Sequence, residues 1–405
     1  MSTHINDTDR LIAELAAKEE PRLIEIRRDI HAHPEIGFDV ERTAGVVARE
    51  LSRLGIDHET GVGRTGVMGI IDGGRPGPTL LLRADMDALP ILEETGLPYA
   101  STIEGRMHAC GHDLHTSTLI GVAAVLKEIA PRLSGRVKLM FQPAEETPES
   151  GAKAMIEDGI LEGVDMALGF HNHPDEPTGM FSYIDGNANG SCDEFEITVH
   201  GRSGHAAHPD QAVDPVVASA HLVLALQTIV SRETNPMQPA VLTIGAIHGG
   251  DAYNVIPESC KLIGTVRCQD RAVRAAIDEA IHRQCRGLED LLRVKCSVNY
   301  MRNLPSLHHD DGVVSITMAA IADHFGKDAI MKRAPSLGAE DFSLVGEKVP
   351  SFQLGIGSQA KGRNDFLHHG DYQPDEACIR LGVAALSCAA VRLLEDMGAK
   401  RYARP

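Results

Sequence analysis

The feature that most constrains the fold of this chain is a change in the rhythm of its hydrophobic pattern. Up to about residue 190, short apolar runs typical of strands alternate with patterns typical of amphipathic helices, and this alternation resumes after about residue 305. Strands that alternate with helices favour a layered α/β domain with a largely parallel sheet. We therefore expect residues 1–190 and 305–405 to form one such domain.

The intervening residues, 191–304, follow a different order. Their pattern predicts strand, helix, strand, strand, helix and strand, over residues 195–200, 213–230, 240–247, 260–267, 272–288 and 294–300. This is the βαββαβ order of a ferredoxin-like module, so we expect such a module to be inserted in the α/β domain. Its edge and helix faces offer a dimer surface, and we expect a homodimer or a higher homo-oligomer.

Composition and charge exclude several classes of partner. The formal net charge of −18 disfavours binding to a nucleic-acid backbone or to an anionic membrane. Residues 1–10 lack the basic-then-apolar order of a signal peptide, and the most apolar helical stretch, 213–230, is interrupted by His221. The eight cysteines lack the spacing of a disulfide framework, which suits a reducing compartment. We expect a soluble cytoplasmic protein.

Metal-binding side chains are densest in the stretch Met107–His115. Cys110 and His112 flank a glycine there, and a helical pattern begins directly after them. The stretch is therefore predicted to lie at a helix N-terminus. The helix dipole at that position is expected to lower the pKa of the thiol and to favour the thiolate, which is the form that binds metal. Asp113 is predicted to cap the same helix.

Similar residue types recur at or just beyond the ends of the strands predicted in the α/β domain, or at the start of the helix that follows. The five pairs are Asp85/Asp87, Cys110/His112, Glu145/Glu146, His171/His173 and His368/His369. Ligand sites of α/β sheets lie at this edge. One histidine beside a strand is more often a hydrogen-bonded polar residue than a ligand. Cysteine, histidine and carboxylate recurring together favour a metal site.

The adjacent carboxylates Glu145 and Glu146 suggest a division of roles. Two neighbouring carboxylates disfavour joint ionisation unless a cation compensates or one of them takes a proton. One glutamate can bind metal, while the other deprotonates water and passes the proton to a leaving amine. A solvated acidic turn would explain this pair if it stood alone, and the four other pairs favour the catalytic interpretation.

Other polar clusters leave their roles open. Asp85 and Asp87 either orient a histidine ligand or form a plain strand-end turn. His31, His33 and Glu35 follow a helix rather than a strand, so we expect a structural or pocket-rim role.

Inside the inserted module, Gly201–Pro209 displays His205 and His208 in a glycine-rich connection between a strand and a helix. Asn254 and Arg267 are able to bind a carboxylate, arginine through its two-pronged guanidinium. Each of these residues taken alone is better explained by a structural role.

Five motifs together carry a family resemblance that spans about residues 27–376. They are Arg28–Glu35 (RDIHAHPE), Arg83–Pro90 (RADMDALP), Met107–Asp113 (MHACGHD), Gln142–Glu146 (QPAEE) and Gly338–Phe342 (GAEDF). The set resembles the hippurate hydrolase and auxin-conjugate amidohydrolase branch of the dinuclear metallo-aminoacylase and carboxypeptidase superfamily. The resemblance implies an α/β catalytic domain with an inserted ferredoxin-like lid and dimerisation domain.

The resemblance also implies a role for each matching residue. Two divalent ions (zinc, manganese, nickel or cobalt) would be held by Cys110, His112, Glu146, His171 and His368. Glu145 would act as general base and Asp87 would steady a metal ligand or the base. In the lid, His205 would stabilise the oxyanion in its own or a neighbouring subunit, and Asn254 and Arg267 would hold the substrate carboxylate.

Two departures from the wider family affect this transfer. Where the peptidase branches carry a histidine two residues before the aspartate, this chain has Asp85, which agrees with Cys110 and His112 replacing part of that ligand set. Gly370 follows the histidine doublet where the branch usually has proline, which leaves the choice between His368 and His369 open.

The expected activity is metal-dependent hydrolysis of the amide bond of N-acyl amino acids, with benzoyl-type or other aryl or alkyl acyl groups. One alternative is deacetylation of N-acetyl-amino acids or N-acetyl-diaminopimelate with the same machinery. An alternative from another class is a catalytically silent, metal-binding or dimerising relative. The acyl specificity is not encoded in any recognisable motif, since apolar pockets discriminate weakly between similar groups.

Overall fold

The structure is a computed structural model that describes residues 7–402, with side chains described for residues 7–396. Its helices are α1 (Asp7–His31), α2 (Glu41–Arg53), α3 (His112–Glu128), α4 (Gly151–Glu157), α5 (Pro215–Thr228), α6 (Arg271–Leu292), α7 (Asp311–Phe325), α8 (Ser343–Gly346) and α9 (Ala377–Tyr402). Its strands are β1 (Asp57–Val62), β2 (Gly66–Asp72), β3 (Arg75–Asp85), β4 (Ser134–Gln142), β5 (Met166–Pro177), β6 (Phe181–Tyr183), β7 (Asn187–Asn189), β8 (Cys192–His200), β9 (Gly204–His205), β10 (Ala240–His248), β11 (Val255–Ile256), β12 (Ser259–Cys268), β13 (Lys295–Leu304), β14 (Leu307–His308), β15 (Ile330–Lys332) and β16 (Ser351–Gln359).

The chain divides into two compact units. The larger unit is formed by the described residues within Met1–Gly186, His308–Ala334 and Leu344–Pro405. The smaller unit is formed by Asn187–Leu307 and Pro335–Ser343, so a short segment from the C-terminal third of the chain groups with it. The ends of the α/β domain expected from the sequence, residues 1–6 and 403–405, lie outside the described residues.

The larger unit is built on an eight-stranded sheet in the order β1-β2-β4-β3-β5-β16-β6-β15. The central neighbours β4, β3, β5 and β16 pair in parallel, whereas β1 with β2, β2 with β4, and β16 with β6 are antiparallel. The residues from Leu80 to Asp85 in β3 are buried on both faces, as in a strand covered by helices. The expected α/β architecture with a mainly parallel central sheet is confirmed.

Helix α3 is the central helix of this unit, since its residues from His112 to Leu126 are all buried. It contacts α1, α9 and the sheet. A Cβ built on Gly121 would lie 2.5 Å from side-chain atoms of both Leu23 in α1 and Val383 in α9, so a glycine at this position allows the three helices to approach closely. Helix α1 continues without interruption through Pro21, which is exposed. The buried face of α1 contains Leu23 and packs against the rest of the unit.

The smaller unit contains a four-stranded antiparallel sheet in the order β10-β12-β8-β13. Helices α5 and α6 pack on this sheet and share one hydrophobic core with it. The core contains Phe195 and Leu262 from the strands, Leu222 from α5 and Ile281 from α6. Along the chain the main elements follow the order strand, helix, strand, strand, helix, strand.

Two helical segments, Pro215–Glu233 and Ala377–Asp396, are long and apolar enough to cross a membrane by length and composition alone. Most of the second segment is buried within the larger unit, where core packing accounts for its apolar side chains. About one third of the first is buried, which leaves an apolar face of α5 exposed.

Several short strands have no counterpart in the sequence pattern. Strand β1 reads DHETGV and most of its residues are exposed, because it lies at the edge of the sheet and has little apolar alternation. Strands β6, β7, β9, β11, β14 and β15 contain two or three residues each, which is too short for any periodicity to register.

Candidate metal centre

The predicted ligand-bearing residues meet where the central strands β4, β3, β5 and β16 lie side by side. Asp85 is the last residue of β3, Glu145 and Glu146 follow the end of β4, and His368 lies in the loop after β16. His171 differs from the expectation, because β5 continues past it to Pro177 and places it inside a strand. Parallel strands end at one edge of a sheet, which explains why segments so distant in sequence converge.

Short distances join the five predicted metal ligands. The Sγ of Cys110 lies 3.5 Å from Nε2 of His171. Nε2 of His368 lies 3.1 Å from Oε1 of Glu146, and Nε2 of His112 lies 3.9 Å from the same oxygen. The ligand atoms of Cys110, His112 and His171 all lie within 4.8 Å of one another, as do those of Cys110, Glu146 and His368, so the two groups share the cysteine.

The unsatisfied atoms of His112 fit a metal site. Its side chain is fully buried, and neither ring nitrogen makes a well-aligned hydrogen bond, although Nδ1 lies 3.4 Å from Oδ1 of Asp87. Leaving a buried polar atom unpaired costs about 1–3 kcal/mol, so such an atom in a native fold calls for an explanation. Thiolate, imidazole and carboxylate together form a donor set suited to divalent transition metals. The residues present therefore fit bound metal ions.

Burial dominates the electrostatics of Cys110. Dehydration raises the pKa of its thiol well above the ordinary value, and the carboxylates of Glu146 and Glu145 add to the increase, while His112 opposes it. The net pKa is therefore raised, which contradicts the expectation that the helix N-terminus would lower it. The local dipole of α3 is outweighed by the loss of water around the sulfur, and a bound cation would compensate for that loss.

Asp87 positions both glutamates through their backbone. Its Oδ1 accepts a hydrogen bond from the N–H of Glu145 at 3.0 Å, and its Oδ2 accepts one from the N–H of Glu146 at 3.1 Å. The same Oδ1 lies 3.4 Å from Nδ1 of His112. Ala144, just before the pair, has φ +50, a left-handed conformation that costs a non-glycine residue roughly 1–2 kcal/mol. The loop that carries the glutamates is therefore held in one conformation.

Asp85 lies beside the candidate ligand His112, with its Oδ1 3.7 Å from Nδ1 of that histidine. Burial raises its pKa, but the nearby His112, Arg83 and His115 outweigh this, and the net pKa lies well below the usual range. Its Oδ1 contacts Nδ1 of His115 at 2.6 Å, and Nη1 of Arg83 donates to its Oδ2 at 2.7 Å. Of the two interpretations left open for this residue, the geometry agrees with orienting a histidine.

His115 and Asn172 are two positioning residues that the sequence analysis did not assign. The backbone N–H of Asn172 donates to Nε2 of His115 at 3.0 Å, while the His115 ring stacks on that of His112 with centroids 5.4 Å apart. His115 follows His112 by three residues on α3, which places both side chains on one face of the helix. This spacing could have predicted that the two histidines lie side by side. Asn172 carried no comparable signal, since its partner comes from another element.

Gly111 is required at the N-terminus of α3 for two reasons. Its φ is +87, which favours glycine, and a Cβ there would lie 2.3 Å from Oδ1 of Asn172. Gly111 itself is the N-cap residue, so the predicted capping role of Asp113 is wrong. The Asp113 carboxylate instead contacts Nε of Arg27 at 2.8 Å and Nδ1 of His31 at 2.7 Å, in a fully buried cluster of charged groups.

The residues expected at the rim of the site differ in environment. His31 is buried and contacts Asp113, whereas His33 is partly exposed. The Glu35 carboxylate accepts hydrogen bonds from the backbone N–H groups of Arg42 and Thr43 at 3.0 and 2.8 Å, which fixes the start of α2. These contacts agree with the structural role, one of the two roles expected for these residues.

The three predicted lid residues lie in the smaller unit. His205 in β9 pairs with Val255 in β11, and the N–H of Ala206 donates to the carbonyl of Asn254 at 3.1 Å, so His205 and Asn254 come from neighbouring segments. Arg267 lies in β12 and donates through Nη1 to the carbonyl of Leu337 at 3.3 Å. The candidate metal ligands, by contrast, all lie in the larger unit.

An α/β fold with a partly buried cluster of cysteine, histidine and glutamate at the ends of its parallel strands is consistent with a metal-dependent hydrolase. The sequence pattern of peptidase family M20/M25/M40 matches residues 81–392. The chain belongs to that family, and it is a metal-dependent amidohydrolase rather than a catalytically silent relative.

Individual relatives cover most of the chain. An N-acetyl-L-cysteine deacetylase of Bacillus subtilis is 39% identical over 93% of this chain and 89% of its own length. A hippurate hydrolase of Campylobacter jejuni is 39% identical over 86% of this chain and 90% of its own. The crystal structure of a dinuclear metal-binding peptidase of family M20 from Bacillus subtilis superposes with a TM-score of 0.84 at 33% identity, covering 94% of this chain and 99% of that one.

Proposed function

We propose that this protein hydrolyses the amide bond of N-acyl amino acids with benzoyl-type or other aryl or alkyl acyl groups, releasing a carboxylic acid and an amino acid. The observation that carries the proposal is the Glu145/Glu146 pair, whose backbone is fixed by Asp87 beside the candidate ligands. A purely structural metal site has no need of a second glutamate. The relative named as a hippurate hydrolase supports the substrate class.

We propose that two divalent ions are held by Cys110, His112, Glu146, His171 and His368. When bound, such ions act as Lewis acids toward the amide carbonyl and lower the pKa of water. The ligand atoms lie close enough to share ions, and a solved relative is described as dinuclear. The donor set suits zinc, nickel, cobalt or manganese.

Between the two histidines of the doublet, we propose His368 as the ligand. Its Nε2 lies 3.1 Å from Oε1 of Glu146, and its backbone has φ +63, a conformation that a bulky residue adopts only when its surroundings hold it there. The ring of His369 contacts that of Phe366 instead, with centroids 5.6 Å apart.

Glu145 is proposed as the general base. Its backbone is fixed by Asp87, and one of its carboxylate oxygens lies within 4.8 Å of ligand atoms of His112 and Glu146, which places a second carboxylate beside the proposed ions. It would take a proton from the attacking water and deliver it to the amine of the departing amino acid, so that no net proton stays on the enzyme. General base catalysis typically contributes about 10²–10⁴-fold to the rate.

The smaller unit is proposed as a ferredoxin-like lid and dimerisation domain. Its strand order, β10-β12-β8-β13, agrees with that module. Strand β10 is an edge strand with exposed Val241 and Ile247, and α5 exposes Val217 and Leu224. An unpaired edge beside an apolar helix face is typical of a self-association surface, which supports a homodimer.

Within this lid we propose that His205 stabilises the oxyanion, in its own or the neighbouring subunit, and that Asn254 and Arg267 bind the substrate carboxylate. We further propose that the protein is soluble and cytoplasmic. Its eight cysteines are all free thiols, which agrees with a reducing compartment.

A second candidate is deacetylation of N-acetyl-amino acids by the same residues. The relative named as an N-acetyl-L-cysteine deacetylase favours it at the same 39% identity as the hippurate hydrolase. The two activities differ in the size of the acyl group, and apolar pockets separate such groups by only about 1–3 kcal/mol per methylene. A direct comparison of substrates is therefore needed.

The test is a substrate panel measured with the full-length protein and each candidate metal. Hippurate, N-acetyl-amino acids and indole-acetyl-amino acids are compared by kcat/KM. A higher value for the aryl acyl groups supports the proposal, and a higher value for N-acetyl substrates supports the second candidate. Turnover of none of them would contradict both.

The role of Glu145 is tested with Glu145→Gln, which should lose about 10²–10⁴-fold in kcat while retaining its metal. Glu149→Gln is the matched control, because Glu149 lies in the same loop but is exposed and pairs with Arg64. Wild-type turnover in Glu145→Gln would contradict the assignment.

A further inference from the structure

Three helices of the larger unit bring together a second set of metal-binding side chains. Asp9 comes from the first turn of α1, His324 from the last turn of α7 and Cys388 from the middle of α9. One ligand atom from each lies within 4.8 Å of the other two. The cluster is remote from the candidate metal centre. Asp9 lies 22 residues before His31, about 33 Å along α1, and the partner of His31 is Asp113, which directly follows the candidate ligand His112.

The spacing within this cluster suits a tetrahedral ion. Sγ of Cys388 lies 3.5 Å from Nδ1 of His324. Zinc bonds of about 2.3 Å to sulfur and 2.0–2.1 Å to nitrogen at a tetrahedral angle place the two atoms about 3.6 Å apart. Cys110 and His171 in the candidate metal centre show the same 3.5 Å separation.

A small cavity opens beside the cluster. It measures about 50 Å³ and is lined by Thr8, Asp9, Cys388, Arg392 and Glu395, among others. One water molecule needs roughly 10–15 Å³ of such space, so an ion that keeps a water ligand can be accommodated. The Arg392 guanidinium is paired with Asp323 at 2.9 Å, so part of its charge is already compensated.

The charge balance also favours a divalent ion. Arg392 and Glu395, which line the same cavity, carry opposite charges. One carboxylate, one thiolate and one divalent ion sum to zero, and a buried site of zero net charge avoids the cost of an isolated charge.

We propose that Asp9, His324 and Cys388 form a separate site for one divalent ion of zinc-like softness, with water as the fourth ligand. On binding, the Cys388 S–H bond breaks, the sulfur forms a bond to the ion and the proton leaves to solvent. The ion cross-links α1, α7 and α9 and thereby stabilises the packing of α1 on the larger unit.

The test uses cobalt, because a cobalt ion bound by a thiolate absorbs in the near ultraviolet. The full-length Cys110→Ser protein is stripped of metal and titrated with Co²⁺, which removes the thiolate of the candidate metal centre from the signal. We expect a thiolate absorption whose final amplitude corresponds to one thiolate-bound cobalt per chain and which is lost in the double variant Cys110→Ser/Cys388→Ser. The double variant Cys110→Ser/Cys260→Ser, which removes a buried cysteine of the smaller unit, should keep it.

Elemental analysis of the protein with Cys110 intact is the second measurement. After loading with Zn²⁺, Cys388→Ser and His324→Gln should each hold one ion fewer per chain than the wild type, with unchanged kcat/KM. Equal metal content in the wild type and both variants, or a thiolate absorption that survives the loss of Cys388, would overturn the proposal. His324→Gln leaves every thiol in place and guards against a folding defect caused by the cysteine substitution.

Discussion

Asp87 offers the sharpest perturbation of the candidate centre, because it is fully buried and touches no proposed substrate. Its two carboxylate oxygens accept the N–H groups of Glu145 and Glu146, and one of them lies 3.4 Å from Nδ1 of His112. In Asp87→Asn the shape is kept, but one oxygen becomes an NH₂ group that faces a backbone N–H. One donor is then left without an acceptor, and the negative charge beside His112 is lost.

The expected size of the effect follows from these contacts. A hydrogen bond to a charged group contributes about 1.5–3 kcal/mol net, and the loss of an outer-shell partner of a metal site typically lowers metal affinity or activity about 10–100-fold. A 10–100-fold loss corresponds to roughly 1.4–2.7 kcal/mol, so the two estimates agree. We expect kcat/KM of Asp87→Asn to fall about 10–100-fold, with weaker metal retention.

The assay compares kcat/KM, metal content and urea unfolding for Asp87→Asn and a matched control, Asp165→Asn. Asp165 also accepts a hydrogen bond from a backbone N–H, that of Thr79, at 2.9 Å. Thr79 lies six residues before the end of β3, away from the candidate ligands. The control should lose stability without losing kcat/KM. Wild-type kcat/KM in Asp87→Asn would refute the argument that this carboxylate holds the two glutamates in place.

Two further predictions concern single histidines. His368→Ala should lower both metal content and turnover, whereas His369→Ala should leave metal content unchanged, as measured by elemental analysis; the reverse result would assign the ligand to His369. His309 is buried with Nδ1 donating to the Ile184 carbonyl, and burial lowers its pKa to about 4 from 6.5. Between pH 6.5 and 4 only the unfolded state takes up this proton, so the free energy of unfolding should be full above pH 6.5 and fall by about 3 kcal/mol toward pH 4. Urea titrations at several pH values measure this loss, and it should be smaller in His309→Gln than in the wild type.

Much of the fold could be predicted because its signals are local. The buried run through Leu80 and Leu82 is apolar on both faces, which marks a strand of a covered parallel sheet. The six elements of the smaller unit show their periods directly in the sequence. Strand β1 could not be found this way, because an exposed edge strand is defined by its backbone pairing with β2 rather than by its side chains.

The error over Cys110 shows where local rules fail. The sequence correctly places this thiol at a helix N-terminus, and the helix dipole alone would lower its pKa. The carboxylates of Glu145 and Glu146 and the surrounding core come from elements distant in sequence, and they reverse the sign. A pKa depends on the complete environment of the group, which a motif does not contain.

The positioning residues were missed for a related reason, which lies in the order of the strands. Asp85 ends β3 and Asn172 lies in β5, and His115 contacts both only because β3 and β5 are neighbours in the sheet, although β4 comes between them in sequence. Metal-binding residue types can be recognised one at a time, since cysteine, histidine and glutamate carry their chemistry with them. The Asn172 amide has no such metal-binding chemistry, so its role in orienting His115 becomes visible only once the strand order is known.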